Sequence, residues 1–117
     1  MLTPSNSDEA RLQWFVFKFL NTLPKWDVGR FFNENPFAVE TAEVVAAYSR
    51  RAPEQVAGVL REMAADGLVI EEPREQTSTY RLSEDGQLRT LLAAFFLACD
   101  DREFRANMLH DVIERGG

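Results

Sequence analysis

Two helix patterns stand close together in the middle of this 117-residue chain, with only a very short turn between them. The first starts at Thr41 and runs to about Arg50, and the second starts at Pro53 and stops at Gly67. Proline suits the first turn of a helix because its missing amide hydrogen would have no partner there, and glycine commonly ends a helix in the left-handed conformation. Residues 41–67 therefore predict two helices joined by a tight turn.

Two short strand patterns follow this helix pair. Residues 68–72 and 77–82 carry β-branched, aromatic and other apolar residues, and a polar turn over 73–76 separates them. Runs of this kind that are joined by a short polar segment are typical of an antiparallel hairpin. We therefore expect a small β-hairpin directly after the second helix.

Amphipathic helices are predicted on both sides of this central unit. Residues 8–23 repeat apolar side chains at helical spacing, and a second, short helix is expected over 25–33. After the hairpin, Ser83 is expected to start a helix that runs to about Ala98, and a last helix follows Asp101. The fold class is therefore mainly α with a small β-hairpin.

A set of residues in the middle of the chain matches a known pattern. These residues are Thr41, Ala42, Val45, Ala46, Ala65, Asp66, Gly67, Leu68, Val69, Tyr80, Arg81 and Leu82. In them the chain resembles the winged helix-turn-helix domain of bacterial and archaeal transcription regulators, and its whole layout is similar to ArsR-like and MarR-like regulators. The resemblance implies one winged-helix domain over 1–117, with an N-terminal accessory helix (8–23), a winged-helix core (24–82) and C-terminal helices (84–115).

The same resemblance implies a function. In such regulators, helices outside the wing pair two subunits, so that two recognition helices address successive turns of duplex DNA. A homodimeric DNA-binding transcriptional regulator is therefore expected, with the helix that starts at Pro53 as its recognition helix. The residues expected to contact DNA are Arg50, Arg51, Gln55, Arg61, Arg74 and Gln76. The surplus apolar residues of the terminal helices are assigned to the dimer interface; the alternative is that they close the core of a monomer.

The charge of the chain is unfavourable for binding DNA. The chain has 13 Lys and Arg against 19 Asp and Glu, a net charge of −6, and residues 37–82 hold five arginines against eight acidic residues, a net charge of −3. Because neutralising phosphates supplies much of the affinity for DNA, a winged-helix module that binds a protein instead stays open as the alternative function. Arg50 and Arg51 also fit a second role, beside the negative C-terminal end of the helix that precedes them.

Sequence signatures of catalysis and of metal binding are missing. The chain has no glycine-rich phosphate loop, no nucleophile elbow and no paired Cys or His at the spacing of metal ligands. We therefore expect no enzyme activity, no cofactor and no metal site. The single histidine, His110, is expected on a solvated helix face, and the single cysteine, Cys99, is expected to pack as a small apolar residue.

The sequence also predicts where the protein is found. The longest apolar run, residues 91–99, has nine residues, whereas a membrane-spanning helix needs about 20. Residues 1–9 lack the pattern of a signal peptide, and one cysteine cannot form an intramolecular disulfide. We therefore expect a cytoplasmic protein with no membrane partner.

Overall fold

The computed structural model of the chain describes residues 6–115. In this part of the chain the elements are α1 (Asn6–Phe19), α2 (Leu23–Glu34), β1 (Glu40–Thr41), α3 (Ala42–Ser49), α4 (Pro53–Asp66), β2 (Val69–Pro73), β3 (Ser78–Leu82), α5 (Gly86–Ala98) and α6 (Arg102–Glu114). The order of the helices and of the two hairpin strands agrees with the sequence prediction. Both ends of the predicted domain, 1–117, lie outside the described residues.

The centre of the molecule is a three-helix unit with a small sheet beside it. Helices α2, α3 and α4 pack on one another through fully buried side chains, among them Phe32, Val45 and Leu60. The antiparallel sheet has the strand order β1-β3-β2, and β2 packs against α4. This arrangement is a winged helix-turn-helix, so the predicted fold class is confirmed.

Helix α4 begins and ends where the sequence predicts. Pro53 stands in its first turn, and Gly67 ends it with a left-handed φ of +94°. The N–H of Gly67 donates to the carbonyl oxygens of Met63 and Ala64, both at 3.1 Å. A residue with a side chain would be strained at this φ, so the glycine is what allows the chain to turn directly into β2.

The sheet has one strand more than the predicted hairpin. Strand β1 lies beside β3, with Glu40 opposite Tyr80 and Thr41 opposite Thr79. Two residues are too few to show an alternation of apolar and polar side chains, so the sequence pattern did not reveal this strand. The side chain of Thr41 then accepts a hydrogen bond from the N–H of Val44 and caps α3, as predicted.

The first helix is shorter than predicted. The prediction that it runs to residue 23 is wrong, because α1 ends at Phe19 and Leu23 is the first residue of α2. Thr22 caps α2 by accepting a hydrogen bond from the N–H of Lys25, and the indole Nε1 of Trp26 donates to the carbonyl oxygen of Leu20 at 2.7 Å. These two bonds satisfy backbone groups that would otherwise be unpaired at the break between the helices.

The start of α5 also differs from the prediction. Asp85, not Ser83, is the capping residue, and its Oδ1 accepts hydrogen bonds from the N–H groups of Gln87 and Leu88 at 2.8 and 3.3 Å. Ser83 contributes one step earlier, since its hydroxyl accepts from the N–H of Asp85 at 3.1 Å. A carboxylate is favoured at this position because it also faces the positive end of the helix dipole.

The terminal helices extend the core through aromatic contacts. Phe95 of α5 is fully buried, and its ring lies 5.1 Å from the ring of Trp26 and 6.3 Å from that of Phe104 at the start of α6. Helix α6 also buries Met108 and Val112. The terminal helices therefore share one continuous core with the winged-helix unit.

Candidate nucleic-acid interface

The outer side of α4 is open to solvent. The helix buries Val56, Leu60 and Met63 and exposes the opposite side. The exposed residues of α4 include Glu54, Gln55, Arg61, Glu62, Ala65 and Asp66. We define the recognition surface as this side of α4 together with the turn before it (50–52) and the wing turn (74–77).

Arg50 forms the turn of the helix-turn-helix. It is the single non-glycine residue with a positive φ among residues 6–115, with φ +57° and ψ +42°, and its N–H donates to the carbonyl oxygen of Ala46. A left-handed residue with a side chain costs on the order of 1–2 kcal/mol, so the backbone at Arg50, where α3 ends abruptly, is strained. The Arg50 side chain is exposed and has no ion pair with another described residue.

Arg51 makes a different contact. Its Nε donates to Oδ2 of Asp27 on α2 at 2.7 Å, and both side chains are partly buried. Arg51 is therefore paired within the protein, whereas Arg50 is not. The sequence had given both arginines the same two possible roles, contact with DNA or interaction with the C-terminal end of α3. Asp27 is a residue that the sequence reasoning missed, and no local pattern could have revealed it because 24 residues separate it from Arg51.

Arg61 and Gln55 lie on the exposed side of α4. The positive charge of Arg61 acts on the hydroxyl of Tyr80, whose pKa is nonetheless raised because burial and the carboxylate of Glu71 outweigh it. Arg61 therefore lies on the side of α4 near the sheet, against which α4 packs through β2. A single surface thus includes an arginine and a glutamine, the residue types that read base edges in the major groove.

The wing turn carries one arginine without an ion pair to a described residue. The N–H of Arg74 donates to the carbonyl oxygen of Thr77 at 2.7 Å and closes the turn, while the side chains of Arg74 and Gln76 are exposed. Arg81 is different, because its guanidinium pairs with Glu72 at 3.1 Å and with Glu84 at 3.7 Å. Arg74 is therefore the cation that the wing turn leaves free for an external anion.

Acidic residues interrupt the recognition surface. Glu54, Asp66 and Glu75 are exposed, and none of them has an ion pair with a described residue. Glu62 is partly neutralised, since its Oε2 lies 3.6 Å from Nζ of the buried Lys25. The surface therefore mixes both signs of charge instead of presenting a continuous positive field.

The described residues were also searched for metal ligands, for a reactive thiol and for membrane-spanning helices. Within residues 6–115, no group of three His, Cys, Asp or Glu side chains could hold a metal ion. His110 is exposed on α6, with Nε2 3.8 Å from Oε1 of Glu114. Cys99 is buried, and burial raises the pKa of its thiol to about 11. No helix in the described part of the chain is long and apolar enough to cross a membrane.

A solved structure shares this architecture. It is the solution structure of the winged helix-turn-helix DNA-binding domain of a possible ArsR-family transcriptional regulator from Mycobacterium bovis, which is described as homodimeric. The two chains are 16% identical, the match covers 87% of this chain and 93% of the other, and the TM-score is 0.61. At this identity the likeness shows the fold alone. No protein-family model and no curated protein sequence matches the chain.

Proposed function

We propose that the protein is a homodimeric winged-helix regulator that binds duplex DNA through its recognition surface. One observation carries the proposal: Arg50, Arg61 and Arg74 are exposed, without ion pairs to described residues, at the turn before α4, on α4 and on the wing. The solved neighbour is described as a DNA-binding domain of the same fold, which supports the proposal.

Different residues of the recognition surface contact different parts of the DNA. Arg61 and Gln55 face outward from α4 and contact base edges in the major groove. Arg50 and Arg74 contact phosphates on either side of that groove, and Gln76 adds a neutral hydrogen bond from the wing. The carboxylate of Asp27 already offsets much of the charge of Arg51, so its contribution to binding is smaller than that of Arg50.

The proposed dimer uses the terminal helices. Trp14 on α1, Leu97 on α5 and Ile113 on α6 are large apolar side chains that are 52%, 65% and 60% exposed. A second copy that covers them would remove apolar surface from water and would present two recognition helices to one duplex. Light scattering at micromolar concentration should give twice the mass of the chain, and a monomer would contradict this part of the proposal.

The test of DNA binding is a retardation assay with random and genomic duplex DNA at about 50 mM salt, where electrostatic attraction to phosphates is strongest. The double variant Arg61→Ala/Arg74→Ala should weaken binding at least about tenfold and flatten the slope of log K against log salt by roughly 0.9 for each phosphate that is no longer neutralised. The matched control is Arg11→Ala/Arg102→Ala, which removes two exposed arginines, one from α1 and one from α6, so that the net charge changes equally.

Two results would overturn the proposal. One is the absence of retardation by the unchanged protein at low salt. The other is an equal loss of binding in the control and in the double variant, because this would show that only the net charge of the protein matters.

A further inference from the structure

Among residues 6–115, one charged side chain is buried. Lys25, in the first turn of α2, is 6% exposed, whereas lysines in proteins almost always keep their ammonium groups in water. The other lysine of the chain, Lys18, is exposed on α1. A buried charge has to be compensated by hydrogen bonds or by an opposite charge. The partners of the Lys25 ammonium therefore show what compensates it.

The ammonium group of Lys25 contacts two different parts of the fold. Its Nζ donates to Oδ1 of Asn21 at 3.0 Å, in the break between α1 and α2. The same Nζ lies 3.6 Å from Oε2 of Glu62, which is on α4 and whose side chain is 66% exposed. Lys25 therefore connects the break between α1 and α2 to the proposed recognition helix.

Local hydrogen bonds fix the backbone that carries Lys25. The N–H of Lys25 donates to Oγ1 of Thr22 at 3.3 Å, and the indole of the next residue, Trp26, donates to the carbonyl oxygen of Leu20 at 2.7 Å. Helix α2 also packs directly against α4. Because these contacts exist within the protein itself, the position of the ammonium group beside α4 is set before any DNA is bound.

Glu62 belongs to the recognition surface and directly follows Arg61 along α4. Of the acidic residues on that surface, it is the one with an ion pair to another described residue. Its side chain is flexible, so a carboxylate that is not held can move towards a bound phosphate, and the repulsion between two negative charges grows as they approach. The pair with Lys25 draws the carboxylate towards α2 instead.

Stability alone explains little of this arrangement. An ion pair with one largely exposed partner contributes little to the free energy of unfolding, and an apolar side chain of similar size is often at least as stable at a buried position as a charged one. Methionine has about the length and volume of lysine. Lys25→Met should therefore fold, and it strands no charge in the interior, because the carboxylate of Glu62 is in contact with water.

We propose that Lys25 is a positioning residue for DNA binding, whose buried ammonium group holds the carboxylate of Glu62 towards α2 and away from the DNA. This inference rests on the proposed function, since it concerns the same recognition surface. The hydrogen bond from Lys25 to Asn21 adds a means of regulation. A shift of α1, one of the proposed dimer helices, relative to α2 moves the ammonium group, releases the carboxylate and lowers the affinity for DNA.

The test is a double-mutant cycle on the affinity for fluorescein-labelled random duplex DNA, measured by anisotropy with the full chain at about 50 mM salt. Lys25→Met should weaken binding roughly three- to tenfold. Glu62→Gln should strengthen binding by a factor that is at least about three times larger in the Lys25→Met background than in the unchanged protein, because a released carboxylate comes closer to the phosphates. The matched control is Lys18→Met, which removes the same charge from an exposed position and should combine additively with Glu62→Gln.

A second variant tests the link to α1 without changing the net charge. Asn21→Ala removes an acceptor of the Lys25 ammonium at an exposed position, so it should fold, as circular dichroism would show, and should weaken DNA binding a few-fold.

Three results would overturn the inference. Equal effects of Glu62→Gln in both backgrounds would show that Lys25 acts only through its own charge, and an unchanged affinity in Asn21→Ala would remove the link to α1. Either result leaves the proposed function standing, because the unchanged protein still binds DNA. Absence of binding by the unchanged protein would overturn the proposed function and this inference together.

Discussion

The recognition surface and the segment 37–48 that precedes α4 differ in their chemistry. The recognition surface exposes Arg50, Arg61 and Arg74 and includes none of the seven large hydrophobic residues that are exposed among the described residues. Residues 37–48 hold four of those seven: Phe37, Val39, Val44 and Tyr48. Different segments of the chain therefore carry the free arginines and the exposed apolar side chains of this region.

This contrast explains why the net charge of the region is a poor guide to its function. The −3 of residues 37–82 includes Glu40 and Glu43, which lie before α4 and outside the recognition surface. Glu62 is paired with Lys25 and Arg51 with Asp27, both partners lie outside this range, and the two pairs offset each other in the sum. The sum therefore exaggerates the negative charge that DNA would meet at α4.

The largest expected effect comes from the core beneath the recognition surface. Leu60 is fully buried on the inner side of α4, so Leu60→Ala should destabilise the protein by about 2–5 kcal/mol through reduced burial and the cavity left behind. Urea unfolding followed by circular dichroism measures the change, with Thr90→Ala, at an exposed position of α5, as control. DNA retardation should fail above the lowered melting temperature, and retardation that survived it would show that the recognition surface does not depend on this core.

A smaller effect concerns the pairing of Arg51. Asp27→Asn removes the negative charge beside Arg51 and leaves at most a weaker neutral hydrogen bond, so DNA affinity should rise a few-fold. The matched control is Asp100→Asn, which changes the net charge equally but alters an exposed residue beyond α5. Equal gains in the two variants would show that overall charge, not Arg51, sets the affinity. The decrease in stability on removing this partly exposed pair should stay at or below about 1 kcal/mol.

The smallest expected effect concerns the ionisation of Tyr48. Burial, followed by the hydrogen bond and charge of Glu34, raises the pKa of Tyr48 from 10.0 to about 12. An unfolded chain loses this proton near pH 10, so the stability that neutral Tyr48 contributes is present below pH 10 and is lost as the pH rises towards 12. Tyr48→Phe should make the fall of the melting temperature over this range less steep.

The ultraviolet absorbance of the phenolate gives an independent measurement of the same group. In the unchanged protein the phenolate absorbance of Tyr48 should appear only well above pH 10. The variant Glu34→Gln should bring the ionisation of Tyr48 closer to the ordinary pH of about 10. The phenolate signal left in Tyr48→Phe belongs to Tyr80, the other tyrosine of the chain. Ionisation of Tyr48 at its ordinary pH would contradict the hydrogen bond from its hydroxyl to Glu34.

The sequence predicted the elements that local chemistry determines. Pro53 and Gly67 mark the ends of α4 because their backbones allow few alternatives there. The break between α1 and α2 was missed because Leu23 continues the apolar periodicity of α1, whereas the bond that stabilises the break joins the indole of Trp26 to Leu20. Strand β1 depends on pairing with β3, which lies far along the chain.

The candidate site was only partly predictable for the same reason. Helical spacing alone indicates that Arg61 faces outward, that Gln55 lies on the flank of the helix and that Leu60 faces inward. The pairing of Arg51 with Asp27 depends on how α2 packs beside the turn, and no spacing rule contains that information. The exposure of Phe37 likewise follows from the placement of its turn next to Arg89, since an isolated phenylalanine in a sequence is more often buried.

The burial of the chain's one thiol has a practical consequence. Because Cys99 is enclosed and its pKa is about 11, almost none of it is thiolate at neutral pH, and maleimide reagents attack the thiolate. A cysteine introduced at an exposed position such as Gln76 would therefore take up a spin label or a dye in preference to Cys99. Distances between two such labels would report directly on how two copies of the chain are arranged in solution.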